Sequence, residues 1–156
     1  MKFQIFREQQ LQCTLAEAWD FFTSPKNLAN ITPQDMAFTV LSDNKEEPIY
    51  EGMLIDYTVS PLLKIPLRWK TRITEVDFQK SFTDFQLQGP YKLWNHRHEF
   101  IANKEGVLMK DTVDYELSFG FLGVIVHQVI VKNKLAKIFD YRFQVLDNLF
   151  NPSKTL

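Results

Sequence analysis

From Val124 to Phe150 some 27 residues pass without glycine or proline, and Val131, Leu135, Ile138, Tyr141 or Arg142, and Leu149 recur there at helical spacing. This predicts one long terminal helix. Ile125, Val129, Ile130, Phe139, Phe143, Val145, Leu146 and Phe150 widen its apolar stripe. A stripe that wide calls for a concave surface wrapped around it, because a flat one would leave its flanks in water.

The preceding chain can supply that surface. From residue 36 onward, runs of β-branched and aromatic residues alternate with turn residues: MAFTVLS, MLIDYTVS, PLRWKTRITEVDF, SFTDFQLQ, YKLWNHRHEF and VLMKDTVDYELSF. The breaks between them are short enough to join neighbouring antiparallel strands, which predicts a meander. Ahead of them, residues 3 to 12 read as a first strand. Thr14 and Glu17 have the spacing of a capping box, with Leu15, Ala18, Trp19 and Phe22 on one helical face, and Pro25 opens a second short helix that closes before Pro33. The expectation is an α+β helix-grip fold: a seven-stranded bent antiparallel sheet, two short helices after strand 1, and a long C-terminal helix across the concave face. At 156 residues with no composition shift, 1–156 is expected to be a single domain.

Charge and cysteine usage narrow the function classes. A net charge of −1 with no basic run gives no electrostatic footprint for nucleic acid. The lone Cys13 excludes an intramolecular disulfide and a cysteine-based zinc site, so the expected location is cytoplasmic. MKFQIFREQQ lacks the apolar stretch of a signal peptide, and no apolar run reaches about 18 residues, so stable membrane insertion is not expected. Lys132, Lys134 and Lys137 read as a solvated helix face. Aromatic residues make up 14% of the chain, which suits a thick core or a lined cavity.

Alternation along the strands selects the candidate residues. Trp94, His96, His98 and Phe100 share one face, and on the next strand Met109, Asp111, Val113, Tyr115 and Leu117 form an apolar face interrupted by one carboxylate. Both faces point inward together only if the turn at residues 103–106 is even-numbered. Phe100 then lies opposite Met109, His98 opposite Asp111, His96 opposite Val113 and Trp94 opposite Tyr115. A bulge at Gly106 would shift that pairing and mismatch the faces. Trp69 alternates with Arg68 and Lys70 and is expected to line the interior, whereas Phe82, Asp84 and Gln86 cannot be oriented against Thr83, Phe85 and Leu87 by pattern. Tyr141 is placed where its helix face can look inward.

The segments LRWKTRITEVD, FTDFQLQGPYKLWNHRHEF, NKEG, DTVDYELSFGFLG and FDYR resemble a bacterial branch of the START and Bet v 1-like superfamily, also called SRPBCC. That branch includes stand-alone proteins and domains fused to epimerase-like, cell-division-inhibitor-type proteins. The resemblance rests on Gly89, Pro90, Tyr91, Trp94, His96, His98, Phe100, Asp111, Tyr115 and Phe139 to Arg142, and it adds Gln86 as a pocket residue. It implies a cavity between sheet and helix for a small hydrophobic ligand. Trp69, Gln86, Trp94, His96, His98, Phe100, Asp111, Tyr115 and Tyr141 are therefore the expected binding residues. Three functions compete: a carrier or sensor of such a ligand; a cyclase- or dehydratase-type enzyme with His98 as base and Asp111 orienting it; and a partner-binding domain whose cavity is filled by its own phenylalanines. His96, His98 and Asp111 also make a two-histidine, one-carboxylate donor set. HxH is short and common and the resembling branch calls for no metal, so neither metal nor cofactor is expected.

Overall fold

The computed structural model describes residues 1–60, 65–118 and 127–152. Strand β1 (Lys2–Leu11) leads into helices α1 (Leu15–Phe22) and α2 (Pro25–Asn30). Then come β2 (Thr39–Val40), β3 (Leu54–Val59), β4 (Leu67–Asp77), β5 (Ser81–Gln88), β6 (Leu93–Asn103), β7 (Gly106–Glu116) and the long helix α3 (Lys132–Phe150). The sheet has seven antiparallel strands in the order β1-β7-β6-β5-β4-β3-β2, a meander with the N-terminal strand added beyond β7. This is the helix-grip architecture expected from the sequence.

Local chemistry explains several boundaries. Glu17 N donates to Thr14 Oγ1 at 3.2 Å while Thr14 N donates to Glu17 Oε2 at 2.8 Å, so the capping box satisfies two backbone donors at the start of α1. Between β6 and β7 the loop is two residues long, and the backbone N–H of Glu105 donates to Asn103 Oδ1 at 2.9 Å. Gly106 closes that loop at φ +123°, where any Cβ would run into the carbonyl oxygen of Leu11. The resulting register sets Trp94 against Tyr115, His96 against Val113, His98 against Asp111 and Phe100 against Met109, as the alternation predicts.

Other expectations need correction. The run 36–42 yields only a two-residue strand, because Met36 ends a 3-10 turn and Ala37 is left-handed at φ 44°. Register shifts between Lys70 and Thr71 and between Ile73 and Glu75 bend β4 against β5. In the terminal helix, Val124 to Val126 lie outside the described residues. The segment His127–Val131 is a π-turn, which carries an extra residue and rotates the helix phase. Val129 and Ile130 accordingly face solvent, as do Phe143 and Leu149, while Leu135, Phe139, Arg142 and Leu146 form the buried stripe.

Gln9 and Asn151 help fasten the end of α3 to the sheet edge. Gln9 Nε2 donates to the carbonyl of Phe143 at 3.0 Å, and Asn151 Nδ2 donates to the carbonyl of Gln10 at 2.8 Å. The enclosed interior divides into two apolar groups. Leu11, Ala18, Trp19, Phe82, Phe100, Val107, Met109 and Leu146 pack together at one end. Met53, Ile55, Tyr57, Val59, Trp69, Ile73, Trp94, Leu135 and Phe139 gather at the other.

Candidate ligand-binding site

The second group, with Phe21, Phe22, Ile31 and Phe82 from the first end, surrounds a cavity of about 190 Å³. An engineered apolar cavity of ~150 Å³ is large enough to take up benzene, so this one has room for a small ring system. Ile55, Tyr57, Trp69, Ile73 and Trp94 form its sheet wall, Leu135, Ile138 and Phe139 its helix wall, and Leu28, Met36 and Phe38 close it from the side of α2. The rings follow one another across the sheet. Phe38 lies 4.8 Å from Tyr57, Tyr57 stacks 5.7 Å from Trp69, Trp69 meets Trp94 edge-on at 5.4 Å, and Trp94 lies 4.7 Å from Tyr91. Offset and edge-on contacts of this kind make a stiff wall without filling the space in front of it.

Polar groups gather at one corner of the cavity, supplied by Asp84, His96, His98 and Arg142. The side chains of His96 and His98 project from alternate residues of β6, with ring centroids 3.8 Å apart. Two carboxylates bracket them. On the cavity side, His98 Nε2 donates to Asp84 Oδ2 at 3.1 Å and His96 Nδ1 lies 3.6 Å from the same oxygen. On the far side, His96 Nε2 donates to Asp111 Oδ1 at 3.0 Å, and His98 Nδ1 sits 2.8 Å from that atom but out of hydrogen-bond alignment. Arg142 Nη1 reaches Asp111 Oδ2 at 3.5 Å.

The charges are unevenly distributed among these groups. Burial opposes ionisation of Asp111, but Arg142 and the two imidazoles outweigh it and hold its carboxyl well below the usual range. Asp84 is likewise lowered against burial by His98, His96 and Arg142. Burial would also strip the proton from either histidine. In His98 the attraction of Asp111 and Asp84 prevails and the pKa is raised; in His96 burial and repulsion from His98 prevail and it is lowered. A neutral His96 that donates from Nε2 presents Nδ1 as a bare lone pair. Burial and charge thus push the two neighbouring imidazoles in opposite directions.

Of the residues singled out by sequence, Trp69, Trp94, His96 and His98 line the cavity. Asp111 stands directly behind the histidines and does not line it. Phe100 lies in the other apolar group against Trp19, at 5.8 Å. Tyr115 packs behind Trp94 at 6.1 Å. Gln86 is buried but spent on the backbone, its Nε2 donating to the carbonyl of Tyr91. Tyr141 is turned away because the inward stripe of α3 runs through Leu135, Phe139 and Arg142, leaving its neighbour half-exposed. Asp84 and Arg142 are the polar wall residues that sequence reasoning did not select. The FTDFQLQ resemblance touched Asp84, and the helical spacing left Arg142 as an equal alternative to Tyr141.

No protein-family profile matches the chain, and no curated protein matches it in sequence. Solved structures do match in three dimensions. A protein from Chromobacterium violaceum aligns at TM-score 0.72 and 11% identity over 96% of this chain and 99% of its own. Major latex-like protein 151 from Panax ginseng aligns at TM-score 0.69 and 14% identity over 97% and 99%. Norcoclaurine synthase from Thalictrum flavum, in complex with a transition-state analogue, aligns at TM-score 0.64 and 17% identity over 94% of each chain. At these identities the likeness is one of fold: the chain has the Bet v 1-like helix-grip fold.

Proposed function

We propose that this domain holds one small, largely apolar molecule between its sheet and α3, as a carrier or sensor, and that Asp84, His96 and His98 orient it by hydrogen bonds. The observation that carries this reading is the cavity itself, mostly apolar in its lining with Asp84, His96, His98 and Arg142 grouped together, which is the usual composition of a small-molecule site. Its volume of about 190 Å³ favours a single or fused two-ring compound over a long acyl chain. Trp69 adds support, since its buried Nε1 has no hydrogen-bond partner among the described residues and a ligand acceptor would supply one. The single Cys13 is in keeping with a reducing, cytoplasmic setting.

The second reading, a cyclase- or dehydratase-type enzyme, draws on the opposed pKa shifts of His96 and His98. A lone pair at His96 Nδ1 would take a proton while His98 supplies one. Norcoclaurine synthase shows that the fold admits an enzyme. Native mass spectrometry with solvent extraction of protein from its own host tests both. A stoichiometric small apolar compound supports binding, and its recovery unchanged from wild type but chemically altered after incubation assigns turnover. A reproducibly empty protein that also takes up no aromatic probe removes both readings.

A further inference from the structure

We propose that Asp84, His96 and His98 form a binding site for one divalent transition-metal ion, open toward the cavity, with Asp111 holding both imidazoles from behind. The inference goes beyond ligand carriage and rests on donor geometry. A metal about 2.0–2.2 Å from nitrogen and oxygen donors sets those donors about 3–3.5 Å apart. His98 Nε2 and Asp84 Oδ2 are 3.1 Å apart, His96 Nδ1 and Asp84 Oδ2 3.6 Å, and all three donors fall within 4.8 Å of one another. The two pairs with Asp84 are already at or near that spacing, and the two imidazole nitrogens would close by at most about 1.3 Å to share one ion.

What separates this cluster from a merely satisfied polar group is the direction of the second ring nitrogens. Metal-binding histidines characteristically give their other N–H to a carboxylate, which fixes tautomer and ring orientation. Here His96 Nε2 is hydrogen-bonded to Asp111 Oδ1 at 3.0 Å, and His98 Nδ1 lies 2.8 Å from the same atom, needing only a small ring rotation to align with it. His96 therefore presents Nδ1 and His98 presents Nε2 on the cavity side, beside Asp84. The remaining Asp111 oxygen is held by Arg142. Sequence spacing suggests Asp111 as the third donor, but the fold puts it behind the rings and brings Asp84 to the front.

Charge is consistent with a cation. The carboxylates of Asp84 and Asp111 outnumber the one guanidinium beside them, Arg142, by one charge. Two imidazoles and one carboxylate suit zinc, iron(II) or cobalt(II) better than magnesium or calcium. Three protein donors leave coordination positions facing the cavity, where an oxygen of the bound molecule would complete the shell.

The test is titration of chelator-treated full-length protein with Co²⁺ and Zn²⁺, without any organic ligand. One equivalent should bind, with a visible Co²⁺ spectrum of nitrogen and oxygen ligation. Asp84→Asn should weaken binding at least about 100-fold and Asp111→Asn about 10- to 100-fold. Should a variant fail to fold, proton NMR of the Co²⁺-loaded wild type still decides. Two paramagnetically shifted, exchangeable imidazole N–H signals are expected, one from the ring nitrogen of each histidine that lies beside Asp111. No stoichiometric uptake of either ion, uptake undiminished in folded Asp84→Asn, or a loaded protein without those two signals overturns the proposal. Failure here leaves uptake of an apolar probe unaffected, so it is distinguishable from failure of the carrier reading.

Discussion

The two ends of the interior use similar residues to opposite effect. Around Trp19 the aromatic rings close on one another, Phe82 at 6.1 Å and Phe100 at 5.8 Å with Phe22 against Phe100 at 5.4 Å, and of these Phe82 and Phe22 also border the cavity. Around Trp69 and Trp94 the rings line a space without filling it. The difference comes from what covers the sheet. At the packed end α1 lays Ala18 and Trp19 directly on β6 and β7, whereas at the open end α3 bridges the sheet with Leu135 and Phe139, and α2 closes only the flank. The polar corner stands at the partition, where Phe82 stacks on His98 at 4.3 Å and Phe139 meets His96 edge-on at 6.0 Å. A core that is close-packed at one end can hold an open chamber at the other, because the first supplies the stability that the second gives up.

Substitutions separate the two ends. The largest effect is expected at the partition. Asp111→Ala leaves the buried Arg142 without its carboxylate and the two imidazoles with Asp84 alone, and should destabilise the fold by about 3–5 kcal/mol, read from urea unfolding. Next is truncation of the helix stripe. Leu146→Ala, in the packed end, should cost about 3 kcal/mol. Leu135→Ala, which borders the chamber, should cost at least about 1 kcal/mol less, since part of its surface has no packing partner to lose. Equal costs would mean the chamber closes in solution. Enlarging side chains inverts the test. Val107→Phe overpacks the closed end and should cost about 1–3 kcal/mol, while Val59→Phe grows into the chamber, costs less than about 1 kcal/mol and blocks uptake of an aromatic probe.

The smallest effects near neutrality concern pH. Asp84 and Asp111 have folded values below the ordinary 3.8, so their contribution is present above that value and is lost as pH falls through the folded value. His98, raised above 6.5, stabilises below that value and loses its contribution as pH rises through its folded value; His96, lowered, has the opposite sign. The two histidines oppose each other, so urea midpoints should change little from pH 6 to 8 and fall steeply below about pH 4. Asp111→Asn should flatten the acid limb.

The regular parts of this molecule could be read in the sequence, and its irregular parts could not. Period-2 alternation on β6 and β7, together with a two-residue turn, was enough to set His98 against Asp111. Asp84 was hidden because the register shifts in β4 leave Ser81, Phe82 and Thr83 all buried, so β5 has no alternation to read. Arg142 was hidden by the width of the apolar stripe, and the π-turn at His127–Val131 breaks the phase that Val129 and Ile130 imply. Phe100 and Tyr115 have the expected inward orientation yet miss the cavity, because facing inward is a property of a strand while lining a cavity depends on what covers it. Phe100 is packed in the same apolar group as Leu146, and Tyr115 is covered by Phe3, Tyr91 and Trp94.

The contrast between the two ends is tested most directly by the three tryptophans, one in the packed end and two in the chamber wall. In protein labelled with 5-fluorotryptophan and assigned through single Trp→Phe variants, ¹⁹F NMR follows titration with 2-naphthol. Saturable shifts at Trp69 and Trp94 with Trp19 unmoved are the predicted result. Shifts at all three alike, or at none, would contradict an open chamber beside a close-packed core.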